Sequence, residues 1–274
     1  MKPIKYSPSS PGSQCSPYAL IFLTLLTASA AFAQPQPQHY PARPIRLVVP
    51  FAPGGNIDST ARAIAPGLTE LLGQQIVIDN RGGAGGLIGT EIVAKAAPDG
   101  YTLVVGSSGV LTVAPSLYSK MPYDPLKDFT SLGLLSYVPI VLVVTPNLPA
   151  KSLKDFIALA KQRAGKMIMA SAGAGTTNQL AGELFQMETG VKFVHVPYKG
   201  SGPALVEVMG GQVDMLFDQL SASAAYIKGG RLRALAVAAD KRNAAVPDVP
   251  TMAESGIKNC EAGTFTALTG PAGL

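Results

Sequence analysis

The chain holds few of the residues that most enzyme and metal chemistry relies on. Among 274 residues there are 2 cysteines and 2 histidines. Cys15 falls within an N-terminal stretch that reads as a removable leader, so Cys260 would stand alone in the mature chain. A disulfide framework within that chain is thereby excluded, and a lone buried thiol is the ordinary account of the remaining cysteine. His39 lies in a proline- and glutamine-rich lead and His195 within a strand pattern, so no histidine pair can hold a metal, and zinc lacks its donor set. Only His195 is left to serve a serine nucleophile, and Gly106-Ser107-Ser108-Gly109 misses the G-x-S-x-G spacing of a nucleophile elbow. No glycine run is followed by Lys-Ser or Lys-Thr, and Gly83, Gly85 and Gly89 miss the dinucleotide spacing, so residues 82–86 read as a structural turn. Nothing in the sequence implies a cofactor.

Charge is also sparse. Residues 1–33 carry Lys2 and Lys5 as their only charges, an apolar run over 18–26, and Ala31-Phe32-Ala33 at the cleavage positions of a secretory signal peptide. That run is shorter than the roughly 20 apolar residues a membrane span needs. Cys15 precedes the apolar core, where a lipid-anchoring cysteine would follow it, which argues for a soluble periplasmic protein. Losing Lys2 and Lys5 from 22 basic residues, against 17 acidic ones, lowers the formal charge from +5 to +3. Such a small and dispersed excess does not fit nucleic-acid binding. Residues 34–44 have no apolar periodicity and read as a flexible lead.

What the chain does have is a repeated unit of strand, small-residue loop and helix. The first is the most informative: Ile45-Arg46-Leu47-Val48-Val49, then Phe51-Ala52-Pro53-Gly54-Gly55-Asn56-Ile57-Asp58, then a helical pattern over 59–72 in which Pro66 should kink or divide the helix. A strand-to-helix junction presents unpaired backbone N–H groups at the positive end of a helix, where an anion can be held without a basic side chain. Strands are expected at 75–79, 101–105, 140–144, 167–170, 192–196, 212–217 and 232–238. Helices are expected at 87–97, 152–164, 177–191, 203–209 and 221–228, the one at 152 opening on the capping-box pair Ser152 and Asp155. This alternation argues for α/β units around largely parallel sheets. Open α/β sheets bind ligands beyond the carboxyl ends of their strands. The loops at 53–58, 106–109, 171–177 and 197–203 are therefore the candidate site.

Seven strings in order also resemble the Bug-type solute receptors of tripartite tricarboxylate transporters. They are Pro50-Phe51-Ala52-Pro53-Gly54-Gly55 with Asp58, Asp79-Asn80-Arg81-Gly82-Gly83, Pro98-Asp99-Gly100-Tyr101, Pro122-Tyr123-Asp124-Pro125, Ser171-Ala172-Gly173 with Gly175-Thr176, His195-Val196-Pro197-Tyr198-Lys199-Gly200, and Pro247-Asp248-Val249-Pro250-Thr251. The resemblance implies a two-lobed, type II-like periplasmic binding fold, each lobe a mixed sheet flanked by helices, with ligand in the cleft between them. Lobe 1 is expected at 45–140 plus 239–274 and lobe 2 at 141–238. In the family, the string at 270–274 leads into further helical sequence, so a C-terminal truncation is expected. The implied function is capture of a small carboxylated molecule by a monomer that performs no chemistry and hands its ligand to membrane transporter subunits or a sensor protein. A periplasmic hydrolase using Ser107 or Ser108 is the alternative.

Each candidate residue carries a plainer reading beside the functional one. Pro53, Gly54 and Gly55 either hold a carboxylate on their amides or only make a turn. Asp58 either caps the helix or faces the cleft, where it would favour a ligand ammonium. Ser107 and Ser108 either bind ligand oxygens or cap a turn. Ser171, Ala172, Gly175, Thr176 and Thr177 are the best second-lobe set, with the threonine hydroxyls binding or capping. Lys199 and Gly200 follow a strand, and Lys199 is either solvated or in contact with ligand. Asp218 either caps the next helix or reaches the cleft. Gln179 stands where the family usually has histidine, which bears on ligand choice if that position touches ligand.

Overall fold

Among the described residues nine strands pair into two sheets that share one long strand. The computed structural model describes residues 39–274 and Ser7. The expected signal peptide at 1–33, that one residue apart, and residues 34–38 of the lead lie outside the described residues. In the first sheet β1 (Ile45–Val49) runs parallel to β2 (Ile76–Asn80) and β3 (Thr102–Ser107). β9 (Gly263–Pro271) lies antiparallel to β3 and to the first part of β4 (Phe129–Val144). The last five residues of β4 belong to the second sheet, antiparallel to β7 (Met215–Gln219) and β8 (Arg233–Ala238). There β5 (Ile168–Ser171) runs parallel to both β6 (Val194–Pro197) and β7.

Alternation along β4 explains why its end is a plain apolar run. Ile140, Leu142 and Val144 join one core with Phe156, Phe185 and Phe217, while Val141 and Val143 join another with Leu205, Val208 and Leu216. A strand covered by helices on both faces has no polar face to show. The first core gathers Ile45, Leu47, Val49, Ile57 and Leu103. The helices are α1 (Asn56–Leu72), α2 (Leu87–Ala94), α3 (Ala114–Leu117), α4 (Leu153–Gln162), α5 (Thr177–Thr189), α6 (Ser201–Gly210) and α7 (Leu220–Lys228). No helix among the described residues is long and apolar enough to cross a membrane.

Four expectations need correction. α1 starts at Asn56 rather than 59, and of the kink or division expected at Pro66 the division does not occur. β4 is a 16-residue strand where only its last five residues were expected. The second half of the expected lead is tied down: the Ala42 amide donates to the Tyr101 hydroxyl at 2.8 Å, and Arg43 pairs with Asp99 at 3.0 Å and lies 4.3 Å from the Tyr101 ring centre. Finally, residues 239–262 pack on the second sheet, not the first. Met252 and Cys260 are buried beside Phe156 and Phe217, and the Met252 amide bonds to Val237 at 2.9 Å. The chain re-enters the first sheet only at Gly263.

Candidate functional site

Four helices begin where strands end on one shared space. α1 follows β1 through the loop at 50–55, α5 follows β5, α6 follows β6, and α7 follows β7 with Gln219 as its N-cap. Because β5, β6 and β7 are mutually parallel, the starts of α5, α6 and α7 share one edge of the second sheet. The start of α1 meets that edge from the first sheet. The Ala52 amide donates to the Lys199 carbonyl at 2.8 Å, and the Ser221 hydroxyl donates to Asn56 Oδ1 at 2.6 Å. Tyr118 OH donates to the Ala174 carbonyl at 3.1 Å. Glycine makes this approach possible. A Cβ on Gly200 would sit 2.8 Å from the Ala52 nitrogen, and one on Gly202 would overlap the Pro53 carbonyl oxygen.

Between the two halves lies a small cavity. Gly55, Asn56 and Ile57 line it at the start of α1, Thr176, Thr177 and Asn178 at the start of α5, Ser201 at α6 and Gln219 at α7. Ser107, Ala172 and Thr264 complete the polar and small surface, and Phe51 with Ile57 gives an apolar side. No charged side chain is among the described residues that line it. The first amides of a helix have no carbonyl one turn earlier to bond, and the helix dipole adds partial positive charge there. With four helices of 17, 13, 10 and 9 residues starting on one space, the field in the cavity favours an anion.

Two aspartates stand just behind this surface. Asp58 is buried in the first turn of α1, where its carboxylate accepts from the Gly54 amide, Arg62 Nε and Asn80 Nδ2, each at 3.0 Å. Burial opposes its charge, but Arg62, the Gly54 amide and Asn80 outweigh that and hold its carboxyl below the usual range. Asp218 has no such cation. Fully buried, it accepts from the Ser201 and Ser223 hydroxyls and from Asn178 Nδ2, and burial pushes its carboxyl up to about 6 against those neutral donors.

The sequence candidates divide accordingly. Gly55, Ser107, Ala172, Thr176 and Thr177 line the cavity. Pro53 and Gly54 are exposed on the loop, and the Gly54 amide is spent on Asp58. Asp58 is neither the N-cap, which is Gly55, nor a lining residue. Lys199 is exposed and contributes its carbonyl to Ala52, while Gly200 is the buried N-cap of α6. Gly175 gives its amide to Gln179 Oε1 at 2.8 Å, so Gln179 braces the α5 loop and does not line the cavity. Ser108 Oγ accepts from the Phe265 amide at 2.9 Å, anchoring β9. Ser171 is fully buried and 2.7 Å from His195 Nε2, which places the histidine away from both Ser107 and Ser108 as a bonding partner. Asn56, Asn178, Ser201, Gln219 and Thr264 line the cavity without having been singled out. Asn178, Ser201 and Gln219 were findable as N-cap or first-turn positions of helices that start at one sheet edge.

A model of the tripartite tricarboxylate transporter family receptor matches residues 60–274. The protein BugT of Bordetella pertussis is 43% identical over 256 residues, covering 93% of this chain and 78% of BugT. A Rhodopseudomonas palustris protein solved with adipate is 40% identical with a TM-score of 0.83, over 85% of this chain and 78% of that one. MatC from the same organism, solved with bound malate, is 38% identical with a TM-score of 0.82, over 85% and 80%.

Proposed function

Because the chain belongs to the tripartite tricarboxylate transporter receptor family, whose members are periplasmic solute receptors, we propose that it captures a small carboxylate in the cavity at 55–57, 176–178, 201 and 219. Its fold is that of the two-lobed periplasmic binding proteins. In this reading residues 41–139 with 263–271 form one lobe and 140–262 the other. The signal peptide at 1–33 directs export, and the captured ligand passes unchanged from a monomer to membrane transporter subunits or a sensor protein.

The observation that carries the ligand class is the convergence of four helix N-termini on a cavity that no charged side chain lines among the described residues. Backbone amides are fixed before the ligand arrives, so they need little reorganisation to meet a carboxylate. The Ala52 to Lys199 and Ser221 to Asn56 bonds join the lobes around it, as expected of a receptor whose ligand shifts an open population toward a closed one. A thermal-shift screen of the mature protein against mono-, di- and tricarboxylic acids, with malate and adipate included because relatives were solved with them, tests this. A ligand at about 100 times its Kd adds roughly 2.7 kcal/mol to the folded state, which raises the melting temperature by about 5–10 °C in a chain this long. No shift with any acid, alongside a shift with sugars or amines, would reject a carboxylate ligand.

A further inference from the structure

We infer that Gly85 and Gly202 are positioning residues for capture, which set the affinity for a ligand they do not touch by letting the two halves meet backbone against backbone. The inference rests on the receptor reading above and deepens it. Neither residue lines the cavity. Gly85 belongs to the glycine run that reads in the sequence as a structural turn, yet a Cβ there would overlap the Ala174 carbonyl oxygen of the opposite half. One on Gly173 would in turn sit 3.0 Å from the Gly85 Cα. The Tyr118 hydroxyl, from the same half as Gly85, donates to the Ala174 carbonyl at 3.1 Å. A second contact lies between residues 52–54 and 199–202. There the Ala52 amide donates to the Lys199 carbonyl at 2.8 Å, and a Cβ on Gly202 would overlap the Pro53 carbonyl oxygen and lie 3.2 Å from the Gly54 Cα.

Both contacts are made by the loops that wall the cavity. Phe51 and Gly55 line it, and residues 52–54 between them touch the other half; Ala172 and Thr176 line it, and residues 173–175 between them do the same. Ser201 lines it one residue before Gly202. Lining and contact therefore move as one piece, and whatever holds the contacts apart also draws lining residues away from a ligand. A gap of roughly 0.5–1 Å already forfeits about a quarter to a half of each packing attraction, and one methyl group opens such a gap. A receptor that binds in its closed form shows an affinity scaled by the fraction closed, so a roughly tenfold fall in that fraction weakens binding about tenfold. Gly202 isolates this effect. It is the second residue of α6, it has no positive φ, and the three atoms nearest to an added Cβ all belong to the first half. Alanine suits a helix better than glycine, so the methyl costs the second half nothing by itself. Gly85 has a φ of +64°, so alanine there adds backbone strain to the obstruction.

The test is calorimetric titration of the mature wild type, Gly202→Ala, Gly85→Ala and Gly210→Ala with acetate, malate, adipate and citrate, each protein accompanied by a ligand-free melting curve and by its scattering radius with and without saturating acid. Gly210 is the control, since it lies in the same helix and a Cβ there meets open space. We expect Gly202→Ala to bind the best acid at least about tenfold more weakly than wild type, to melt within about 2 °C of it without ligand, and to contract less at saturation. Gly85→Ala should weaken binding at least as much and melt lower, while Gly210→Ala stays within about twofold of wild type. Gly202→Ala that binds within about twofold of wild type overturns the inference and leaves the carboxylate reading intact. So does Gly202→Ala that binds weakly yet contracts fully, because the methyl would then act on the site and not on closure. Should Gly202→Ala melt well below wild type, Tyr118→Phe decides, since it removes the bond to Ala174 and adds nothing: binding weakened about threefold or more at an unchanged melting temperature supports the inference, and unchanged binding overturns it. Wild type that binds none of the acids overturns both readings.

Discussion

Asp58 and Asp218 occupy matching places in the two halves, each buried behind a helix start at the cavity, yet they titrate in opposite directions. Asp58 has Arg62 four residues on in the same helix, and the ion pair at 3.0 Å keeps its carboxylate charged. Asp218 has only hydroxyls and amides, which cannot cancel its charge, so burial dominates and its carboxyl rises to about 6. The difference teaches that the two sides of the cavity handle a buried negative charge differently. In the first half a negative charge is neutralised behind the wall. In the second half it is left to compete with the ligand for the same helix dipoles.

The sharpest way to break the comparison is to make the same substitution at both places. Asp58→Asn removes the charge that Arg62, the Gly54 amide and Asn80 surround; Arg62 and Gly54 are exposed and can turn to water, so the cost should be about 1–2 kcal/mol, or roughly 2–8 °C in melting temperature at pH 7. It should leave ligand selectivity unchanged, because Asp58 does not line the cavity. Asp218→Asn removes a buried charge whose cost is about 1.4 kcal/mol per pKa unit, so it should stabilise the protein at pH 7 by roughly 1–3 kcal/mol. The two melting curves should therefore move in opposite directions.

The pH dependence follows the same signs. Asp218 is 3.8 in its ordinary state and about 6 when folded, so the folded protein binds more protons between those values. Its contribution to stability is fully present below about pH 4 and is lost as pH rises to about 6. Asp58 is lowered by folding, so its contribution is present above its ordinary value of 3.8 and is lost as pH falls below it. Wild type should lose stability relative to Asp218→Asn across pH 4–6, and its affinity for a carboxylate should weaken over the same window, as melting curves and titrations at several pH values would register. The smallest effect belongs to Gln179→Ala. Losing the brace on the Gly175 amide should cost about 1 kcal/mol and leave affinity within about twofold, since Gln179 touches backbone and not the cavity.

Much of this arrangement was legible in the sequence. Strand, small-residue loop and helix followed one another as expected, and the loops at 53–58, 106–109, 171–177 and 197–203 do meet around one space. Which atoms face it was not legible. Gly55 has no side chain to announce an N-cap, and Asp58 acts from inside the first turn by holding the Gly54 amide, so α1 was placed three residues late and Asn56 was read as loop. Residues 129–139 of β4 alternate irregularly, with Leu134 and Tyr137 exposed and register shifts along β9, so no period of two marked them as a strand. Thr264 depends on that unread pairing. Residues 239–262 carry no periodic signal, and the burial of Met252 and Cys260 with the Met252 to Val237 bond shows which sheet they serve.

Anion capture at converging helix N-termini is tested most directly by titrating wild type with the acid that raises its melting temperature most, and then with the neutral amide of that acid, which has nearly the same shape. Helix N-termini acting on charge should bind the acid at least about a hundredfold more tightly than the amide, a difference of roughly 2.7 kcal/mol. Equal affinity for the two would contradict it.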